Sequence, residues 1–299
     1  MHADDPNHPM AAVPPEPGIA KPDPILTVDA VSRSFGGLKA VDVDHLEVQR
    51  GLITSMIGPN GAGKTTFFNL LTGFDDADSG TWSIDGTRLD GKPPHVVARS
   101  GVVRTFQLTK ALAKMSVFDN LMLGAAGQQG ERLTHALFPF LWRKQEAEVK
   151  ERAEELLDRF KLGHMRDEYA GTLSGGQRKL LEMARALMVR PEIILLDEPM
   201  AGVNPALVQS LLGHVTALRD EGLTVIFIEH DMDVVMGISD WVVCLAQGSI
   251  ISEGLPRAVG SDPKVIDAYL GTHLAEEATP ADAPDLAPEP TAHPEEPTS

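Results

Sequence analysis

The chain has 299 residues, a formal net charge of −17 at pH 7 and 42% apolar residues, enough for the core of one large domain or two small ones. The acidic balance argues against the basic surface of a nucleic-acid-binding protein, and the single cysteine, Cys244, excludes an intramolecular disulfide framework. Since the sequence shows no long apolar run and no signal peptide, we expect a soluble, cytoplasmic protein.

Both ends of the chain have a composition typical of disordered segments. Residues 1–24 contain seven prolines, and residues 272–299 contain six prolines and seven acidic residues without any Lys or Arg. Such segments bury too little apolar surface to offset the loss of chain entropy on folding. We therefore predict disordered tails at 1–24 and 272–299 around a folded domain at 25–271.

Within the folded domain, apolar runs of strand length alternate with helical patterns. Several runs are continuous, which is typical of strands buried on both faces of a sheet. The alternation predicts an α/β core with a largely parallel sheet. The predicted strands are ILTVDA (25–30), LITSMIG (52–58), GVVRTF (101–106), EIILLD (192–197), LTVIFIEH (223–230) and WVVCLA (241–246), and the predicted helices are 64–71, 144–162, 175–189 and 205–220.

Residues 108–173 break this alternation, because their pattern is mostly helical. In ERAEELLDRF, helical spacing places the apolar residues Ala153, Leu156, Leu157 and Phe160 on one stripe. We predict a helical subdomain inserted into the α/β core at about 108–190.

The stretch GPNGAGKTT at 58–66 has the G-x-x-x-x-G-K-[ST] spacing of a phosphate-binding loop and lies between a predicted strand and a predicted helix. Backbone N–H groups at a helix N-terminus attract an anion. Lys64 supplies a charge for the β- and γ-phosphates, and the Thr65 hydroxyl is a Mg²⁺ ligand. We expect the nucleotide to contact Gly58, Pro59, Asn60, Gly61, Ala62, Gly63, Lys64, Thr65 and Thr66.

Two adjacent acids follow a predicted buried strand in IILLDEP at 193–199. Asp197 is the expected second Mg²⁺ ligand, and Glu198 is the expected group that activates or positions water. A surface Asp-Glu pair at a strand end is the alternative, but charged groups are costly at such a place unless they serve a function.

The stretch LSGGQ at 173–177 ends 20 residues before Asp197 and resembles the signature motif of ABC ATPases. This resemblance implies a P-loop NTPase core with a mostly parallel sheet, an antiparallel β part and the inserted helical subdomain. It also implies a head-to-tail dimer that holds ATP and Mg²⁺ between the phosphate loop of one chain and the signature residues of the other, which are Ser174, Gly175, Gly176 and Gln177.

Other positions match the same family. Gln107 resembles the Q-loop residue, which touches Mg²⁺ and the attacking water, and His230 resembles the switch histidine, which contacts the γ-phosphate. Phe35 is the expected platform for adenine, although a core position fits it equally well. Asn204 stands where most of the family has an aspartate. Asparagine can still form hydrogen bonds but lacks the charge, so the coupling across the dimer that the aspartate implies is left open for Asn204. The implied catalytic residues are Glu198, His230, Lys64 and Gln107, and the implied Mg²⁺ ligands are Thr65, Gln107 and Asp197.

Longer stretches from about residue 25 to residue 271 look like the ATP-binding subunits of branched-chain amino-acid importers. They are FGGLKAVD (35–42), IGPNGAGKTTFFNLLTGF (57–74), GVVRTFQ (101–107), GVNP (202–205), IEHDMDVVMGISD (228–240) and IDAYLG (266–271). The resemblance implies an ATPase bound peripherally to the cytoplasmic face of the cell membrane. Its implied partners are two permease subunits, a second ATPase subunit (a paralogue or a second copy) and, indirectly, a solute-binding protein; nucleic acid is not expected.

Several alternatives stay open at this stage. Related importers for urea, amides or other amino acids have similar ATPase subunits. A soluble ABC ATPase acting on nucleic acid or ribosomes is disfavoured, because such proteins typically carry long coiled coils or paired ATPase units, and a nucleotide-binding switch is disfavoured by Glu198 and His230. The apolar stretch LTHALFPFLW (133–142) either caps the core of the helical subdomain, which we favour, or lines a groove for a permease.

Overall fold

The computed structural model describes residues 8–105, 112–125 and 143–277. In this part of the chain one sheet is antiparallel, with strand order β2-β1-β4-β5. Its strands are β1 (Pro24–Phe35), β2 (Leu38–Gln49), β4 (Ser79–Ile84) and β5 (Thr87–Arg88). A second sheet has the order β10-β9-β3-β8-β7-β6, in which β10 alone runs antiparallel to its neighbour. Its strands are β3 (Ile53–Ile57), β6 (Val102–Arg104), β7 (Ile193–Asp197), β8 (Thr224–Ile228), β9 (Trp241–Ala246) and β10 (Ser249–Gly254).

Helices cover the parallel strands and connect them. They are α1 (Lys64–Leu71), α2 (Pro94–Arg99), α3 (Val117–Met122), α4 (Arg143–Arg159), α5 (Gly175–Leu187), α6 (Pro205–Asp220), α7 (Met232–Ile238), α8 (Pro256–Gly260) and α9 (Pro263–Glu277). Across the three described ranges, none of the helices combines the length and apolar character needed to cross a bilayer.

The central strands of the parallel sheet explain where the site lies. Every residue of β3, β7 and β8 is buried, as expected for parallel strands covered on both faces. Because the strands are parallel, their carboxyl ends meet at one edge of the sheet. Asp197 ends β7 at this edge, and the segments after the strands carry the phosphate loop, Glu198 and His230. The predicted α/β core with a mostly parallel sheet and an antiparallel part is confirmed.

Helices α3, α4 and α5 lie between β6 and β7 in the chain. The predicted apolar stripe of α4 is buried in a cluster that also contains Leu121 of α3 and Leu181 of α5, so these helices share one core. The stretch 133–142 lies outside the described residues, and neither interpretation of it is tested.

The prediction of a disordered tail at 1–24 does not hold for residues 8–24. Met10 is fully buried, the His8 Nε2 atom lies 3.1 Å from Asp240 Oδ1, and Lys21 Nζ lies 3.1 Å from Glu253 Oε2. Burial lowers the pKa of the Lys21 ammonium, and the charge of Glu253 opposes that shift. The composition argument failed because a few specific side chains anchor a segment that is otherwise rich in proline.

The other predicted boundary also differs. Helix α9 continues to Glu277, past the predicted end of the domain at residue 271. Residues 278–299 lie outside the described residues.

Candidate functional site

The phosphate loop is held between β3 and α1 by glycines in conformations that other residues rarely adopt. Gly58 has φ +143°, Gly61 +76° and Gly63 +98°. A Cβ on Gly58 would lie 2.1 Å from the Leu245 carbonyl oxygen, and one on Gly63 would lie 2.1 Å from the Ala40 carbonyl oxygen. The loop therefore fits against its neighbours only with glycine at these two places.

Lys64 lies inside this loop. Its ammonium donates to the carbonyl oxygens of Gly58 at 2.6 Å and Pro59 at 3.0 Å. Burial lowers the pKa of Lys64, and the negative charges of Glu198 and Asp197 act in the opposite direction. Lys64 therefore lies within the electrostatic influence of Asp197, the last residue of β7, and of Glu198 after it, an arrangement that suits a phosphate site.

Asp197 is buried at the end of β7 and forms an ion pair with Arg104 of β6, whose guanidinium lies 2.5 Å from Asp197 Oδ2. A second guanidinium nitrogen of Arg104 donates to Asn69 Oδ1 on α1. Sequence reasoning missed Arg104, although a charged residue at the end of an apolar strand, three residues before Gln107, was a usable signal.

Glu198 adopts a left-handed backbone conformation with φ +45°. Its N–H donates to the Ile228 carbonyl at 3.0 Å, which ties the end of β7 to the end of β8. Strained backbone of this kind persists where the surrounding structure holds it and is common at functional sites.

His230 follows β8, and its side chain is 66% exposed. Beside it, Glu229 is buried: Oε1 accepts the N–H of Met200 at 3.2 Å and Oε2 accepts the N–H of His230 at 3.2 Å. Burial raises the pKa of Glu229. Sequence reasoning assigned no role to Glu229, which links the segment after Glu198 to the predicted switch histidine.

The signature residues form the start of α5. The Ser174 hydroxyl accepts the N–H of Gln177, and the Gln177 side chain accepts the N–H of Ser174, which is a capping box. Gly176 packs so closely on α6 that an added Cβ would lie 1.5 Å from Leu207 Cδ2. Within the described ranges no hydrogen bond joins these residues to the phosphate loop of the same chain.

Three further predicted residues have different outcomes. Phe35 is 48% exposed, and the Arg33 guanidinium lies 4.8 Å from its ring centroid, so the alternative that Phe35 is a core residue is wrong. The Asn204 side chain accepts the N–H of Leu207 at 3.0 Å and caps α6. Gln107 lies outside the described residues.

The residues present fit a nucleotide with Mg²⁺. The glycine loop leaves backbone N–H groups and Lys64 at the start of α1, as a chain of phosphates needs. No group of three or more His, Cys, Asp or Glu side chains suited to a metal occurs among the residues described. One hydroxyl at Thr65 and one carboxylate at Asp197 suit Mg²⁺, which is usually held by one or two protein oxygens together with phosphate oxygens and water.

Comparison with known proteins agrees with this geometry. The family model described as "ABC transporter" matches residues 41–201, and the model described as "Branched-chain amino acid ATP-binding cassette transporter" matches residues 249–275. The chain is 42% identical to the probable branched-chain amino acid transport ATP-binding protein LivG of Archaeoglobus fulgidus, over 84% of this chain and 97% of that protein. It is 43% identical to the high-affinity branched-chain amino acid transport ATP-binding protein BraF of Pseudomonas aeruginosa, over 83% and 98%.

Solved structures show the same likeness. The ADP conformation of MJ1267, an ATP-binding cassette of an ABC transporter, is 40% identical and superimposes with a TM-score of 0.73 over 83% of this chain and 99% of that one. A nucleotide-free ATP-binding cassette from an ABC transporter gives a TM-score of 0.72 at 40% identity, over 82% and 98%. The resemblance predicted from the motifs is confirmed: the chain belongs to the ABC transporter family and is one of its ATP-binding, ATP-hydrolysing subunits.

Proposed function

We propose that this ATPase powers a membrane importer for branched-chain amino acids. The observation that carries the proposal is the position of Lys64, within the phosphate loop and in the field of Asp197 and Glu198. The substrate class is supported by the names of the LivG and BraF relatives and by the family match at residues 249–275.

In the proposed mechanism, the phosphate loop binds ATP and Lys64 stabilises negative charge on the β- and γ-phosphates. Glu198 positions or deprotonates the attacking water, and His230 contacts the γ-phosphate. Thr65, Asp197 and Gln107 would hold Mg²⁺, which neutralises charge on the phosphate oxygens when it is bound. Phe35 is the proposed platform for adenine.

The signature residues complete the proposed site from a second subunit. Ser174 and Gly175 are exposed at the start of α5, where backbone N–H groups and the helix dipole favour an anion. We place the nucleotide of one subunit against this helix start in the other, in a head-to-tail dimer. Closure and reopening of that dimer would move the permease subunits between their two states.

A groove beside β6 is the proposed docking site for the permease. Its volume is about 460 Å³, and its walls come from α2, β6, α5 and the residues on either side of α3. Leu112 and Leu123 line it and are 46% and 57% exposed. Exposed apolar side chains around a concave surface are typical of a site that receives a partner helix. A short cytoplasmic helix of a permease is the proposed occupant.

The decisive experiment is purification of the intact protein from its native membranes in mild detergent, followed by identification of its partners. Two permease subunits and a solute-binding protein that binds leucine, isoleucine or valine would support the proposal. A solute-binding protein specific for urea or amides would keep the importer and change the substrate. Recovery of ribosomes or nucleic acid without a permease would contradict the importer itself.

A further inference from the structure

The first residue of the phosphate loop is held from two sides. The N–H of Gly58 donates to the hydroxyl oxygen of Tyr269 at 2.9 Å, and the carbonyl of Gly58 accepts the ammonium of Lys64 at 2.6 Å. Tyr269 belongs to α9, and 211 residues separate it from Gly58 in the sequence. One residue, Gly58, thus connects α9 to the lysine of the phosphate loop.

Helix α9 is anchored next to this contact. Val265, one helical turn before Tyr269, is buried in an apolar cluster that includes Ile57, the residue immediately before Gly58. Ile266 and Leu270 of the same helix are 46% and 57% exposed. The helix therefore has an inner side fixed to the start of the phosphate loop and an outer side that faces solvent.

The surroundings of Gly58 leave its N–H few other partners. Its Cα lies so close to β9 that a Cβ would contact the Leu245 carbonyl, and Tyr269 is itself half-buried. Burial raises the pKa of Tyr269, so its hydroxyl stays neutral at physiological pH. A buried N–H that loses its acceptor is costly, so the loop start is expected to shift or loosen when the hydroxyl is removed.

We infer that Tyr269 is a positioning residue for the phosphate loop, and that the docking of α9 and the binding of nucleotide are coupled through Gly58. The inference rests on the proposed role of the loop in binding phosphates. A preformed loop binds with less ordering cost than a loose one, and coupling between two sites acts equally in both directions. Nucleotide binding should therefore tighten α9, and loss of the α9 contact should weaken nucleotide binding.

The test uses the full chain with ADP and Mg²⁺ as the probe. In the parent protein, ADP should slow hydrogen exchange of the α9 amides at 264–270. In Tyr269→Phe, which removes only the hydroxyl, the affinity for ADP measured by calorimetry should fall about three- to tenfold. The protection of α9 by ADP should be lost in the same variant, whereas a merely structural hydrogen bond would lower thermal stability without changing either result.

Val259→Ala is the matched control, because Val259 is buried in the same cluster and its side chain has no group that could accept the N–H of Gly58. It should lower thermal stability and keep ADP affinity within about twofold of the parent. Unchanged affinity and unchanged α9 protection in Tyr269→Phe would overturn the inference, and so would an equal loss of affinity in Val259→Ala.

A further variant, Lys64→Ala, distinguishes an error in the proposed function from an error in the inference alone. Lys64→Ala should abolish ADP binding while Tyr269→Phe only weakens it. If Lys64→Ala binds ADP as the parent does, the loop is not the phosphate site, and both the proposed function and the inference built on it are wrong.

Discussion

The guanidinium of Arg104 forms an ion pair with the carboxylate of Asp197 at 2.5 Å, and the two side chains are 6% and 2% exposed. Breaking a buried pair leaves an uncompensated charge, so Arg104→Met should destabilise the nucleotide-free protein by about 3 kcal/mol. Urea unfolding without nucleotide measures this. A loss below about 1 kcal/mol would show that solvent screens Asp197 as it does a surface pair. Arg88→Met is the control, since the pair of Arg88 with Asp90 is largely exposed on the arginine side.

Glu198 should be needed for hydrolysis but not for binding. Glu198→Gln keeps the shape of the side chain and removes its ability to accept a proton, so the ATPase rate should fall about 100-fold or more. ATP-bound dimers should accumulate and be visible by size-exclusion chromatography. Glu192→Gln changes an exposed acid just before β7 and should retain the parent rate. Full activity in Glu198→Gln would remove Glu198 from this role.

Glu229 should give stability a specific pH dependence. Burial raises its pKa in the folded state above the ordinary value of 4.5, so the folded state favours the protonated carboxyl. This contribution is fully present below the ordinary pKa and is lost as pH rises through the raised one. The stability of the parent relative to Glu229→Gln should therefore decrease as pH rises from about 4.5 towards neutrality. Urea unfolding of both proteins across this range measures it, and a relative stability that increases with pH would contradict the assignment.

Alanine substitutions at the adjacent residues Gly176 and Gly175 should have very different effects on the stability of the fold. A Cβ on Gly176 would lie 1.5 Å from Leu207 Cδ2, whereas nothing lies within 4 Å of a Cβ on Gly175. Overpacking of this kind costs about 1–3 kcal/mol, so Gly176→Ala should be destabilised by that amount and Gly175→Ala should be close to neutral. Chemical denaturation of the two variants decides it. Equal stabilities would show that the Leu207 side chain moves aside freely.

A charged residue in the groove beside β6 should prevent binding of the permease without slowing ATP hydrolysis. Leu123→Glu places a charge on an exposed wall of the groove, so it should abolish co-purification of the permease and leave the ATPase rate of the isolated protein within about twofold of the parent. Tyr169→Glu alters an exposed side chain, 62% accessible, that does not line the groove, and it should still bring down the permease. Retained co-purification in Leu123→Glu would place the docking site elsewhere.

The sequence predicted the elements whose signals are local. The bounds of α1 and α6 agree with the predicted 64–71 and 205–220, because a glycine loop and an Asn-Pro start mark those helix ends directly. The strand β2 was missed, since LKAVDVDHLEVQ places polar residues on an exposed face and its pairing with β1 is antiparallel. Parallel strands with continuous apolar runs were easier to recognise.

Contacts between distant residues could not be predicted in this way. Arg104 and Asp197 are 93 residues apart, and Gly58 and Tyr269 are 211 apart. Nothing in the local sequence of either residue indicates its partner, and only the packing of the fold brings the two together. The candidate site was therefore predicted as a set of motifs, whereas the side chains that support those motifs became visible only in the structure.

The N-terminal segment has a consequence for the integrity of the domain. Glu253 is fully buried, and its oxygens accept from Lys21 Nζ, Ile19 N–H and Trp241 Nε1. Removing the residues before β1 would leave every strand and helix of the fold in the chain, yet Glu253 would keep only the neutral indole donor and would lose its counter-ion. The residues that precede the first strand thus supply the positive charge that neutralises Glu253 on the edge strand β10. Their removal should destabilise this edge of the sheet before it affects nucleotide binding.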